Sequence, residues 1–382
     1  MDSSRPRIGV VGVGSLGAHH ARILAAMTNL EMAGLYDVRS ARAGEMGRRL
    51  GVPVRRSLED LLDHADAVVV SVPTSVHEDV ALPALARGVH VLVEKPLAST
   101  LAAADRILEA ARRSGARVQT GHVERFNPAV RAAARFLDRP LFVESHRMAP
   151  FTHRSADIAV VLDLMIHDVD LVMSLVGTPP VEIAAVGVPV LSSSVDIANA
   201  RLTFRGGAVA NLTASRVSVE RMRRIRIFQR SGYVSLNLAD GTGEFLRLRR
   251  ELPALATRGA VERPRDERAP AGAVAPADAV APADGAAPAE VMDPAEVTNR
   301  PADPEGPRRA VKLPADLGEI LERVPLSGDG CEPLRRELEN FRDVVCGGAE
   351  PVVSGRAGRE ALAVALAIQE RIERNVTDSR PA

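Results

Sequence analysis

Of the 49 side chains that are Lys or Arg, only Lys95 and Lys312 are lysine, and Lys95 stands in the triplet Glu94-Lys95-Pro96 directly after an apolar run. Arginine keeps its proton at any workable pH, whereas a partly buried ammonium gives it up readily. A position that does proton chemistry therefore cannot accept the exchange made elsewhere in the chain. A second candidate set lies on one helical stretch. Asp163, His167, Asp170 and Ser174 follow at i, i+4, i+7 and i+11, which at about 100° per residue confines them to a stripe of roughly 60° on an otherwise apolar helix. Such a stripe must find partners or line a wet cavity. Taken alone, it is a core histidine satisfied by Asp163. Beside Lys95 and a dinucleotide turn, it reads as an Asp-oriented histidine able to act as general base.

The elements that must position these groups begin with the apolar run Ile8 to Val11, which leads into Gly12-Val13-Gly14-Ser15-Leu16-Gly17, a helix over 18–27 and a second apolar run ending at Asp37. The first glycine permits the tight turn, the second lets backbone approach a pyrophosphate, and the third allows the helix to pack closely on the strand. Asp37 lies 20 residues beyond Gly17, where a carboxylate accepts from an adenosine ribose and repels a 2′-phosphate. NAD is thus expected over NADP, with Arg39 softening the preference. The alternation continues to residue 120 with near-continuous Val and Leu runs separated by helices, which means a parallel sheet covered on both faces. Ser71-Val72-Pro73-Thr74 and Glu94-Lys95-Pro96 fall at strand carboxyl ends, where ligands of such sheets bind. After residue 122 comes a helix from about Pro128, a strand near 141–147, a helix over 159–176 and several strands between 181 and 248. The expected fold is a Rossmann domain, residues 1–122, followed by an α+β domain with a mostly antiparallel open sheet, residues 123–382.

Composition narrows the function. With 49 acidic against 49 basic side chains and only 3% aromatics, neither the basic footprint nor the stacking rings of a nucleic-acid binder are present. Cys331 and Cys346 form no ligand cluster and no disulfide framework, and no metal is expected. The longest apolar run, 159–176, is interrupted by Asp163, His167, Asp168 and Asp170, so a cytoplasmic protein without membrane insertion is expected. Between about 252 and 309 the composition collapses to Ala, Pro, Asp and Glu, and the segment 273–278 repeats at once as 279–284. Regular proline breaks any alanine helix, so this reads as a disordered insertion. Order is expected to resume by Glu332, with amphipathic helices to Val345 and over 358–374.

These residues resemble the glucose-fructose oxidoreductase and inositol dehydrogenase (Gfo/Idh/MocA) family. The resemblance is carried by the glycine turn, by Ser71-Val72-Pro73-Thr74 with His77, by Glu94-Lys95-Pro96, by Arg125-Phe126-Asn127-Pro128, and by Asp163 with His167. It implies an NAD(P)-dependent oxidoreductase acting on a sugar hydroxyl, with Lys95, Asp163 and His167 as the catalytic set and a cis bond before Pro96. The cofactor-facing set is Gly12, Gly14, Ser15, Leu16, Gly17, Asp37, Arg39, Ser71, Pro73, His77, Glu94 and Lys95. Many members carry an Asn just before the Arg-Phe pair; here His122-Val123-Glu124 replaces it, so that contact is not carried over. Within the family, residues 121–128, 145–151 and 161–168 are most similar to bacterial UDP-N-acetylglucosamine 3-dehydrogenases. That similarity implies a UDP-sugar substrate, a 3-keto product passed to an aminotransferase in 2,3-diamino-sugar (lipid A type) synthesis, and a homo-oligomer. Arg125, Arg147 and Arg154 are the expected substrate contacts, Arg forks being suited to phosphate. The cluster Arg221, Arg223, Arg224 and Arg226 reads as a solvated strand face. An inositol or free-sugar dehydrogenase, and a non-catalytic dinucleotide-sensing regulator, remain the alternatives. The sequence leaves open whether Lys95 or His167 takes the proton.

Overall fold

The computed structural model describes residues 5–151, 158–249 and 320–378. The insertion expected over 252–309 and Arg154 lie outside the described residues. The described residues up to 248 and from 321 onward belong to one compact unit.

The first half is built on a five-stranded sheet of β1 (Arg7–Val11), β2 (Glu31–Tyr36), β3 (Ala67–Val70), β4 (His90–Glu94) and β5 (Val118–Gly121), in the order β2-β1-β3-β4-β5 with every pair parallel. Because side chains alternate along a strand, the Val-rich runs feed two cores on opposite faces. Ala67 and Val69 join Ile8, Val10 and Leu92 on one face, and Val68 and Val70 join Val91 and Val93 on the other. The helices α1 (Ser15–Ala25), α2 (Ser40–Leu50), α3 (Leu58–Leu62), α4 (His77–Ala86) and α5 (Leu101–Ser114) connect these strands. The order of the chain through the sheet reverses at β1, so a crevice opens beyond the carboxyl ends of β1 and β3.

The second sheet has eight strands: β6 (Phe142–Met148), β7 (Pro180–Val188), β8 (Ile197–Phe204), β9 (Val209–Ser215), β10 (Met222–Gln229), β11 (Gly232–Asn237), β12 (Thr242–Leu248) and β13 (Leu321–Ser327). Its order is β13-β12-β11-β10-β6-β9-β8-β7, antiparallel throughout except for β6 beside β9. The expected fold class, a parallel Rossmann sheet followed by a mostly antiparallel one, is what the chain adopts. Asn127 caps α6 (Pro128–Ala133), its side chain accepting from the Ala129 N–H at 3.0 Å with Pro128 in the first turn, which gives the Asn-Pro pair a local reason. A π-helical turn, Val161–Met165, runs into α7 (Ile166–Val176).

β13, Leu321–Ser327, is a strand that the sequence reading did not single out. β13 pairs Leu321 with Leu248, so the ends of the intervening segment are neighbours. Pro325 and the charges at Glu322 and Arg323 hid this strand; it lies on a sheet edge, the one place where strand proline is tolerated. The closing helices α8 (Pro333–Val345) and α9 (Gly355–Asp378) complete cores begun far upstream. Leu338 and Phe341 of α8 are buried with Ile8, Val10 and Leu24. Along α9, Leu362 packs in the core of the first sheet and Ala365, Ile368 and Ile372 in that of the second. No described helix is long and apolar enough to cross a membrane.

The glycine turn is held by sterics. Gly12 has φ +84°, and a Cβ on Gly17 would lie 1.9 Å from the Gly12 carbonyl oxygen, backbone that cannot move aside. We expect Gly17→Ala to cost more than the ~1–3 kcal/mol of ordinary overpacking, seen as a large fall in thermal midpoint of the unliganded protein; an unchanged midpoint would refute this account of the turn.

Candidate active site

One cavity of about 900 Å³ opens at the crevice of the first sheet. Gly12, Gly14, Ser15, Leu16, Asp37, Arg39, Ser71, Pro73, His77, Glu94 and Lys95 all line it; Gly17 does not, and serves helix packing instead. The residues present fit a dinucleotide. α1 begins at Ser15 with no side-chain cap and no acid in its first turn, so its leading N–H groups are left for an anion. A Cβ on Gly14 would meet nothing within 4 Å, which leaves open space over the turn for a pyrophosphate. Asp37 is anchored by the N–H groups of Val13 and Arg39, both at 2.9 Å, one to each oxygen. A carboxylate has about four acceptor positions, so capacity remains for ribose hydroxyls. His77 bridges the two site loops, Nδ1 lying 3.0 Å from the Pro96 carbonyl and Nε2 3.1 Å from that of Val72. Burial pushes its pKa down, and the neutral ring donates to one of the two. The Lys95–Pro96 bond is cis.

Lys95 reaches out of the first sheet to the π-helical turn. Its Nζ donates to the Asp163 main-chain carbonyl at 2.6 Å and lies 3.6 Å from the Asp163 carboxylate. Burial lowers the Lys95 pKa, while the carboxylates of Asp163 and Glu94 pull the other way. The expected Asp163–His167 pair does not form: Asp163 faces Lys95, and Nδ1 of His167 is buried with no partner. The π-turn is the reason, since its wider turns do not keep the α-helical step on which the stripe was drawn. The other members of the stripe have partners of their own, Asp170 taking Arg125 and Ser174 donating to the Leu171 carbonyl. Burial, then the positive charges of Lys95 and Arg147, hold His167 well below the usual imidazole range, so it stands as a neutral base. The His122 ring lies edge-on to it with centroids 6.2 Å apart, fully buried and with both nitrogens unpartnered.

Two expected substrate contacts are held in ion pairs within the protein. Arg147 is buried and bidentate on Asp168 at 2.8 and 2.9 Å, with a further bond to Glu124 at 2.9 Å. Burial pulls its pKa down, but the two carboxylates outweigh that and raise it. Arg125 spends its fork on Asp170 at 2.6 and 2.9 Å. Strand parity held the missed signal. Arg147 shares its side of β6 with the buried Val143 and Ser145, and Arg223 shares its side of β10 with the buried Ile225 and Ile227, whereas Arg224 and Arg226 face out. Arg223 sits 3.6 Å from Glu124, which Arg147 already holds more closely. Burial and the Arg147 charge lower its pKa, with Glu124 pulling the other way.

Residues 6–122 match the model of the oxidoreductase family with an NAD-binding Rossmann fold, and residues 130–235 that family's C-terminal domain. The chain belongs to the Gfo/Idh/MocA family. It is 41% identical over 237 residues to a UDP-N-acetylglucosamine 3-dehydrogenase of Acidithiobacillus ferrooxidans, covering 62% of this chain and 75% of that enzyme. It is 27% identical over 247 residues to a myo-inositol 2-dehydrogenase of Thermotoga maritima, covering 60% and 74%. Among solved structures, the A. ferrooxidans enzyme GnnA superposes with a TM-score of 0.76 at 30% identity over 97% of this chain and 98% of that one. As a member of this family the chain is an NAD-binding oxidoreductase.

Arg147 tests the assignment of a structural rather than a ligand-binding cation. Arg147→Ala leaves Asp168 buried without its cation, and Glu124 with only the more distant Arg223, and should cost ~3–5 kcal/mol, measured by denaturant unfolding. A normal stability with only substrate affinity lost would return Arg147 to the substrate.

Proposed function

We propose that the chain is an NAD-dependent sugar-nucleotide dehydrogenase that oxidises the C3 hydroxyl of UDP-N-acetylglucosamine to a keto group, a product ready for a glutamate-dependent sugar aminotransferase in 2,3-diamino-sugar synthesis. The observation that carries this reading is the placing of Lys95: it lines the cofactor cavity and is held by Asp163 beside a neutral histidine. The similarity to the A. ferrooxidans enzyme supports the choice of sugar.

When bound, NAD supplies a nicotinamide that accepts hydride from the sugar carbon. The protein's own part is to hold the hydroxyl and remove its proton. His167 takes that proton on Nε2, since Nδ1 is walled in. Lys95 steadies the developing alkoxide, with Asp163 fixing the ammonium. Arg223 gives the site a cation not fully neutralised by the protein, suited to the diphosphate of a UDP-sugar.

Asp37 decides the cofactor. NAD should be used at least ~10-fold better than NADP, because a 2′-phosphate would meet a carboxylate tied on both oxygens; equal kcat/KM for the two cofactors would show that Asp37 does not face the ribose.

With NAD and UDP-N-acetylglucosamine the protein should form NADH and a 3-keto sugar, in a reaction drawn forward by an aminotransferase trap. Lys95→Arg and His167→Ala should each lower turnover by ~100-fold or more while NAD still binds, because positioned acid-base groups contribute at least that much. NADH from myo-inositol and none from the UDP-sugar, even with the trap, would overturn the choice of substrate. NAD binding without NADH on any sugar would favour the sensing regulator.

A further inference from the structure

Behind the cavity wall lies a buried polar cluster that the proposed chemistry does not use. His20 on α1 is fully buried, and its Nε2 meets Glu94 Oε1 at 2.6 Å. Glu94 ends β4 on the cavity wall, and its other oxygen accepts the Lys95 main-chain N–H at 3.2 Å. Glu337 on α8 is fully buried, neither of its carboxyl oxygens has a partner, and Nδ1 of His20 is also bare. One side-chain donor or acceptor atom from each of the three lies within 4.8 Å of the other two. The Glu337 main-chain carbonyl accepts from Gln119 Nε2 at 3.3 Å, which ties α8 to β5.

An ionised carboxylate in this position would be buried, unpaired and next to a second carboxylate, which is prohibitively costly. It must be neutralised by a cation or by a proton. Two ligands of one tetrahedral metal ion at ~2.0–2.2 Å sit about 3.3 Å apart, wider than the 2.6 Å between His20 and Glu94, a separation that belongs to a hydrogen bond. The geometry therefore favours the proton. Burial, then the Glu94 charge, push the Glu337 carboxyl well above the usual carboxylate range.

The other charged groups nearby are engaged elsewhere. Arg22 of α1 turns to Glu332, and Glu124 and Arg125, which precede α6, are held by Arg147 and Asp170. On α8 itself Arg335 and Arg336 both reach Glu339, and Arg342 pairs with Asp343. His20 and Glu94 are thus the titratable groups that face Glu337 among the described residues.

We propose that Glu337 serves as a neutral hydrogen-bond donor to the Glu94–His20 pair and so acts as a positioning residue for Glu94 and the Lys95 loop at the cofactor cavity. With these atoms within 4.8 Å of one another, a shift of at most about 2 Å brings the acid to O–H···O distance of Glu94. The fold favours the protonated form. The stability Glu337 contributes is therefore full below the ordinary glutamate pKa, ~4.3, and is lost as pH rises toward its raised folded value. Ionisation would place two carboxylates against one histidine, push α8 from the wall and weaken cofactor binding. The effect on cofactor rests on the reading of this cavity as the NAD site; the effect on stability does not.

The test uses the full-length wild type and Glu337→Gln, the neutral isostere. Thermal midpoints without cofactor and NAD affinities by calorimetry are followed from about pH 5 to about pH 9. We expect the two proteins to agree within about twofold in NAD affinity at the acid end, with Glu337→Gln gaining in midpoint as pH rises and binding NAD at least about threefold more tightly at the alkaline end. A loss of midpoint and affinity by the same amount at every pH would overturn the proposal. So would stoichiometric divalent metal in the purified wild type that Glu337→Gln lacks. Should Glu337→Gln not fold, infrared spectroscopy of the wild type decides, because a protonated carboxylic acid band at neutral pH is required and its absence refutes the proposal. A chain that bound no NAD at all would sink the cofactor reading and leave the pH dependence of the midpoints to judge Glu337.

Discussion

Charge that is buried must be met where it is buried, and in this protein the meeting places lie where loops of the first sheet approach the helix and strands of the second. Lys95, at the end of β4, is held by Asp163 on the π-helical turn. Arg125, just after β5, is held by Asp170 on α7, and Arg147 on β6 by Asp168 on the same helix and by Glu124. Removing one partner of such a pair leaves an uncompensated charge that costs several kcal/mol, so these pairs lock the relative register of the elements that carry them. Specific placement of one helix, α7 with its preceding turn, thus depends on three cations donated from elsewhere.

The apolar framework supports the same arrangement. α9 contributes Leu362 to one core and Ala365, Ile368 and Ile372 to another, while α8 closes the face of the first sheet behind the glycine turn. Residues more than three hundred positions downstream therefore back the strand that leads into the cofactor turn.

Lys95 and His167 meet opposite electrostatic surroundings. Lys95 stays beside a carboxylate that favours its charge, whereas His167 stands among cations that disfavour its own. The cluster of His20, Glu94 and Glu337 lies on the other side of the same loop, so the backbone at Glu94 and Lys95 is held from both directions.

The amino-acid sequence by itself determined the glycine turn, the alternation of strands and helices, the acid at the end of β2 and the isolation of Lys95, because each is a local signal written within a few residues. That these residues would gather around one cavity was legible for the same reason: strand ends carry many of them. Tertiary structure decided the partners. Arg147 carries the same side chain whether it meets a substrate phosphate or Asp168, and only the packing of β6 against α7 selects the second. Asp163 and His167 keep a helical spacing in the sequence, yet a π-helical turn, which spacing alone does not reveal, sends one to Lys95 and leaves the other unpartnered at Nδ1. Glu337 is separated from Glu94 by most of the chain, and nothing near it in sequence marks it as the neighbour of a second carboxylate. Local propensity is summed along the chain, but the cost of a buried charge depends on what the fold places opposite it, and that is a property of three dimensions.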